Sequence, residues 1–193
     1  MDGLRSHRPL HVNVPSDAPV FDDDGHKASL DEEEPSMGGD YLDVPSIPRL
    51  INILRKQGDN KVLFADKVLK FTGTGKMKKR ILVITTLAMY MVDPDTISLK
   101  RRVTLMNVDK ISFSELSDNF FAITIPVEYD LLIASTRKAE IVAILVDAVK
   151  GASDHELQVE SCNSFTYFAA ADSEKEVRFA EVEGGVRTRI IKK

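Results

Sequence analysis

Between residues 61 and 135 the apolar side chains recur at the two-residue spacing of strands, and at 136–150 they change once to the spacing of a helix. A strand with one apolar face must bury it, so a series of such strands has to curl around a shared interior. Residues 62–72 read as an extended apolar segment broken by Gly73-Thr74-Gly75. Residues 80–92 read as one long strand, apolar on both faces, either covered on both sides or curving through a barrel. Asp93-Pro94-Asp95 is a turn signal. In 97–105 Ile97, Leu99, Val103 and Leu105 fall on one side, with Arg101 interrupting them and expected to be paired within the fold. Short strands follow around 110–113, at Phe121, Ile123 and Ile125 after the turn Ser117-Asp118-Asn119, and at 129–134. The 136–150 helix has Ser135 or Thr136 to cap it and Gly151 to end it. Ile141, Leu145, Ala148 and Val149 form its buried face. Six or seven strands and then one amphipathic helix describe a β-rich α+β domain, a strongly bent antiparallel sheet whose open corner the helix plugs.

Smaller elements flank this unit. Residues 46–57 are expected to form a short helix, with Ser46 as cap, Pro48 in the first turn and Gly58 at the end. Its stripe of Ile47, Leu50, Ile51 and Leu54 is expected to pack on its own domain rather than lie on a membrane. After the long helix, Leu157, Val159, Ser161 and Phe165 alternate, and 175–183 pairs with 186–192 across Gly184-Gly185, where both central residues are expected to take positive φ. The first 45 residues differ in kind. They hold eleven acids against three bases, a net −8, while 46–193 carries +4. Few large apolar side chains occur there, so 1–45 is expected to be an acidic disordered tail and 46–193 the folded domain. The block Asp31-Glu32-Glu33-Glu34 reads as a solubilising run, with a docking strip for a basic partner as the alternative.

Catalytic and metal chemistry find no support. Gly73-x-Gly75-Lys76 lacks the remainder of a phosphate loop and no helix follows it. His7, His11 and His26 fall in the tail, and Asp154-His155-Glu156 reads as a surface turn. One cysteine, Cys162, provides neither a zinc set nor an internal disulfide, which favours a reducing compartment. No signal peptide and no spanning segment is expected, and no cofactor. Nucleic-acid binding is not expected either, since +4 is modest and no RNP-like aromatic pattern occurs. The expected location is cytoplasmic, at a membrane–cytoskeleton interface or in a cytoskeletal or flagellar structure.

From about residue 48 onward the chain resembles the tail-homology region of class I myosins. The resemblance is carried in order by VLFADKVLKF (62–71) leading to a Gly/Lys loop, RILVITTLAMYMVDP (80–94), LKRRVTL (99–105), SELSDNFFAI (114–123), DLLIASTRKAEIVAILVDAVK (130–150) and ELQVESCNSFTYF (156–168). It implies a pleckstrin-homology-like bent antiparallel barrel, capped by a C-terminal helix and extended by C-terminal strands. The 193 residues hold this module without a motor head. The resemblance also implies binding of anionic phosphoinositides through a basic pattern around the first β-loop, of the form Lys, spacer, Lys/Arg-x-Arg. Lys70, Lys78 and Arg80 fit that pattern, and Lys76 and Lys79 add charge.

The chemistry suits such residues, because lysine supplies mobile point charges and arginine a planar fork to phosphate oxygens. Each base near an anionic leaflet contributes about 1 kcal/mol. Five therefore give roughly 5 kcal/mol, a dissociation constant only somewhat below ~1 mM. A shaped pocket, a second anchor or avidity must supply the remainder. Two functions follow. One is a non-catalytic adaptor that binds anionic phospholipid head groups and cytoskeletal proteins. The other is a protein-docking component of a cytoskeletal or axonemal assembly that binds no lipid.

Overall fold

The computed structural model describes residues 39–193. The acidic block at 31–34 lies outside the described residues, as does most of the segment expected to be disordered. The folded unit begins at Asp40, six residues before the expected boundary. The Asp40 carboxylate accepts the backbone N–H groups of Leu42 at 3.1 Å and Val44 at 2.8 Å. Tyr41 N–H donates to the Ala65 carbonyl at 2.8 Å, and Val44 is fully buried. Asp40 and Asp43, counted with the tail on composition, thus belong to the domain.

Helix α1 (Pro48–Lys56) starts at its proline, with Ile47 as N-cap and no side-chain cap. The expected cap, Ser46, instead sits in a 3-10 turn (Val44–Ser46), where its hydroxyl donates to the Asp43 carbonyl at 2.7 Å. Next come β1 (Val62–Phe71) and β2 (Met77–Thr85), then β3 (Ala88–Asp93) and β4 (Ser98–Thr104). The stretch 80–92, expected as one strand, is two. The Thr85 hydroxyl accepts the N–H groups of Leu87 at 3.1 Å and Ala88 at 3.0 Å, and this reverses the chain without glycine or proline to mark it. The apolar character on both faces is nonetheless real, because β2 and β3 are each covered on both sides.

A second correction falls on β4. Met91 pairs with Arg101 but Val92 with Leu99, so Lys100 is an extra residue in the ladder. This irregularity turns Ile97 and Leu99 toward the α1 side and leaves Val103 and Leu105 in the main core, rather than all four on one side.

Strands β5 (Lys110–Phe113), β6 (Phe120–Thr124) and β7 (Leu131–Ala134) precede α2 (Lys138–Ala152). Helix α2 runs two residues later than expected: Arg137 is its N-cap, the Ser135 hydroxyl accepts the Arg137 N–H at 3.0 Å, and Gly151 lies inside the last turn. Strand β8 (Gln158–Ser161) returns parallel to β5. Strands β9 (Ser164–Ala170), β10 (Ser173–Val182) and β11 (Gly185–Lys192) make a separate three-stranded sheet. Val182 pairs with Gly185, so the last turn is Glu183-Gly184, and of these only Gly184 takes positive φ, +87°.

The large sheet runs β4-β3-β2-β1-β7-β6-β5-β8. It is curled so far that Val103 of β4 and Ile111 of β5 share one core, which Ile141, Leu145 and Val149 of α2 seal. This is the bent, helix-capped architecture expected, seven strands and then the helix, with four strands added. Two further elements clothe the outside of the sheet. Leu50 and Leu54 of α1 cover Ala65, Val83 and Tyr90, while Phe165, Tyr167, Val177 and Phe179 of the second sheet cover Ala122 and Leu132. No described helix is long and apolar enough to cross a membrane.

Candidate functional site

The β1–β2 hairpin turns through Thr72–Lys76. Lys76 N–H donates to the Thr72 hydroxyl at 3.1 Å and Thr72 N–H to the Lys76 carbonyl at 2.7 Å. Gly75, at φ +85°, takes the conformation that side chains resist. Lys76, Met77, Lys78 and Lys79 are exposed. The turn is braced from behind: buried Lys175 of β10 donates to the Gly73 carbonyl at 2.8 Å.

Strand alternation sorts the five expected site residues. Lys70 pairs with Lys78 and Val68 with Arg80, which puts Lys70, Lys78 and Arg80 on the inner face, at the open end of the curled sheet. Leu69 pairs with Lys79, so Lys79 emerges on the outer face. Lys76 stands in the turn between them. The three positions of the expected basic pattern are therefore brought together, and Lys79 is not with them.

Two residues not assigned to the site complete it. The Tyr129 ring, from the β6–β7 turn, receives the Lys70 ammonium at 5.7 Å and the Arg101 guanidinium at 3.8 Å. Arg101 was expected to be paired, and it is: Nε and Nη2 donate to Glu128 Oε2 at 3.1 and 2.9 Å, and Nη2 also to the Tyr129 carbonyl. Its lone interruption of an apolar alternation was the signal available in the sequence. The neighbouring bases diverge from it. Arg102 turns outward, its Nε donating to the Tyr90 hydroxyl at 3.2 Å, and Lys100 is exposed.

Electrostatically the mouth is unfinished. Burial, then the like charges of Arg101, Arg80 and Lys78, lower the Lys70 pKa below the ordinary lysine range. Arg80 lies 3.6 Å from Asp93, whose carboxyl is held low mainly by the N–H groups of Thr96 and Asp95. Even so, Arg80 Nε and Arg101 Nη1 are buried with no hydrogen-bond partner among the described residues. An enclosed N–H without an acceptor costs about 1–3 kcal/mol. Lys70, Lys78, Arg80 and Arg101 thus gather four positive charges at this mouth, with Asp93 and Glu128 as the carboxylates paired to the two arginines. Metal chemistry has no such preparation: no group of three or more His, Cys, Asp or Glu able to hold an ion occurs among the described residues. His155 Nε2 lies 3.2 Å from the Val108 carbonyl.

Residues 36–193 match a family model described as the unconventional myosin tail, actin- and lipid-binding. Myosin heavy chain IB of Acanthamoeba castellanii is 29% identical over 162 residues, which cover 80% of this chain and 14% of that protein. Myosin IB heavy chain of Dictyostelium discoideum is 32% identical over 129 residues, covering 64% of this chain and 12% of its own length. The chain thus corresponds to a small part of the curated relatives it matches. Among solved structures, the hSac2 domain of human phosphoinositide phosphatase Sac2 aligns with a TM-score of 0.43 at 12% identity, over 60% of this chain and 88% of that one.

Proposed function

The chain belongs to the unconventional myosin tail family, and from that premise we propose that it is a non-catalytic peripheral module that docks on phosphoinositide-bearing membrane through the β1–β2 mouth and joins that membrane to actin. Lys70, Lys78, Arg80 and Arg101 engage the head-group phosphates. Lys76, at the tip, adds attraction toward the leaflet, and Lys79 does so from the other face.

The observation that carries this reading is the crowding of like charge where burial already disfavours it. Lys70 loses part of its preference for the charged form to three neighbouring cations, and two guanidinium N–H groups have nothing to bond. Such an arrangement costs stability in the free protein and is relieved by a bound anion. The energetics also favour it. Charge alone leaves binding near the millimolar range, and two charge-assisted hydrogen bonds at about 2 kcal/mol each bring it toward the micromolar range.

Sedimentation with phosphatidylcholine vesicles, plain or carrying phosphatidylserine or a phosphatidylinositol bisphosphate, tests the proposal. The parent should pellet with the bisphosphate vesicles, and Lys70→Ala with Arg80→Ala should bind them about thirtyfold less well. Equal binding by the double variant removes the mouth as the site. A parent that ignores all three vesicles but pellets with actin filaments leaves the protein-docking role in its place.

A further inference from the structure

Three turns meet at the mouth end of the domain, and two of them carry apolar side chains that the fold leaves in water. The β6–β7 turn shows Pro126 and Val127 to solvent, Val127 at 69% exposure. The β9–β10 hairpin ends in Phe168-Ala169-Ala170-Ala171, with Phe168 46% exposed and Ala170 and Ala171 exposed beside it. We propose that these two turns form an apolar wedge, which enters the interfacial layer of the bilayer next to the head group held in the mouth. The inference rests on the membrane-docking reading and extends it to the second sheet.

Buried polar contacts lock the two turns together. Asp130 spans them: its Oδ1 accepts the Ile125 N–H and its Oδ2 the Phe168 N–H, each at 2.9 Å, and its own N–H donates to the Phe168 carbonyl at 2.8 Å. A buried carboxylate that accepts two backbone N–H groups fixes both segments. The hairpin tip also reaches the basic turn, since a side chain at Gly73 would meet the Ala169 carbonyl at 3.7 Å and Lys175 donates to the Gly73 carbonyl. Strand alternation keeps the wedge out of the core: Phe165 and Tyr167 cover Ala122 and Leu132, while Thr166, Phe168 and Ala170 face away. Tyr129, which receives Lys70 and Arg101, follows Val127 by two residues, so apolar surface and basic charge share one edge. An anionic leaflet complements both, with phosphates for the bases and acyl chains for Val127 and Phe168. The acids limit the depth. Asp172 is exposed just past the alanines, and a carboxylate resists entry into hydrocarbon, so the wedge stops at the interface. Apolar transfer thus supplies the second anchor that charge arithmetic requires.

Sedimentation of the full chain with phosphatidylinositol bisphosphate vesicles, beside titration calorimetry with a soluble inositol phosphate head group, decides the matter. Val127→Ser with Phe168→Ser should lower vesicle affinity about tenfold and leave head-group affinity at the parent's value. Leu87→Ser with Val159→Ser, a comparable apolar loss elsewhere on the surface, should match the parent in both. Phe168→Trp, in a chain without tryptophan, should be quenched by brominated acyl chains in the same vesicles. A wedge variant that sediments like the control, or a tryptophan that escapes quenching, overturns the wedge. Equal losses toward vesicles and soluble head group overturn it too, because an apolar anchor acts only on the bilayer. Lost binding to actin filaments with vesicle binding intact gives this surface to a protein partner instead. The two readings fail separately: a parent that ignores the vesicles removes the membrane reading and the wedge together, while a binding parent matched by its wedge variant removes the wedge alone.

Discussion

Lys70 concentrates the physics of this protein in one side chain. Half-buried beside Arg101, Arg80 and Lys78, it has its pKa lowered from the usual lysine value. The unfolded chain, with an ordinary lysine, binds more protons than the folded one as pH climbs through that interval. Stability therefore rises with pH there, and the full cost of the buried charge is present below it. Lys70→Met should raise the thermal midpoint while weakening binding to bisphosphate vesicles about fivefold. A melt and a sedimentation series on one preparation check both, and a variant that loses stability would mean Lys70 serves the fold rather than a ligand. Lys70, Lys78 and Arg80 were legible as a set through the family resemblance, whose Lys, spacer, Lys/Arg-x-Arg pattern they fit, and the period of two then puts alternate bases of paired strands on one face. Lys79, expected only to add charge, lies on the other face: adjacency in sequence means opposite faces in a strand, and the inner or outer assignment depends on the pairing register.

At the level of elements, the second sheet beyond α2 steadies the hairpin that carries the basic residues. Lys175 reaches from β10 to the Gly73 carbonyl, 102 residues away. In Lys175→Met, amide exchange at 73–76 should quicken severalfold while exchange in β2 and β3 stays slow; unchanged protection of the turn would show that β10 does not brace it. On the opposite side, α1 is tied down by a buried polar contact. Tyr90 donates to Asp59, and burial first, then this bond, pushes the Tyr90 pKa up to about 12. Tyr90→Phe should cost about 1–3 kcal/mol in urea unfolding, since Asp59, almost wholly buried, keeps only Arg102 at 4.0 Å. Element existence was legible from periodicity, but two features were not. The Thr85–Ala88 reversal lacks a breaker because a threonine hydroxyl caps it, and the Lys100 irregularity preserves an alternation of residue types while exchanging the faces they occupy.

For the whole molecule, the curled sheet sets a direction. The β1–β2 turn stands at one end and the β2–β3 turn at the other, so a membrane that engages the basic hairpin meets one end of the domain. Met77 and Leu87, 47% and 46% exposed, mark these ends, and the chain has no tryptophan. Met77→Trp should therefore shift its emission to the blue on bisphosphate vesicles and lose the shift at high salt, whereas Leu87→Trp should report nothing. Shifts of equal size at both ends would contradict an oriented approach.

The sequence by itself determined the class of fold and the site's raw materials. Period-two patterning, one helical stretch and a Gly-containing basic turn are local properties, and local sterics and hydrophobicity suffice to write them. The tertiary structure decided which charges meet. Register, the irregularity in β4 and the curl of the sheet brought Arg101 of β4 and Tyr129 of the β6–β7 turn to Lys70 and turned Lys79 away. Those outcomes depend on how strands pair and bury one another across the sheet, an energy shared among residues far apart in the chain.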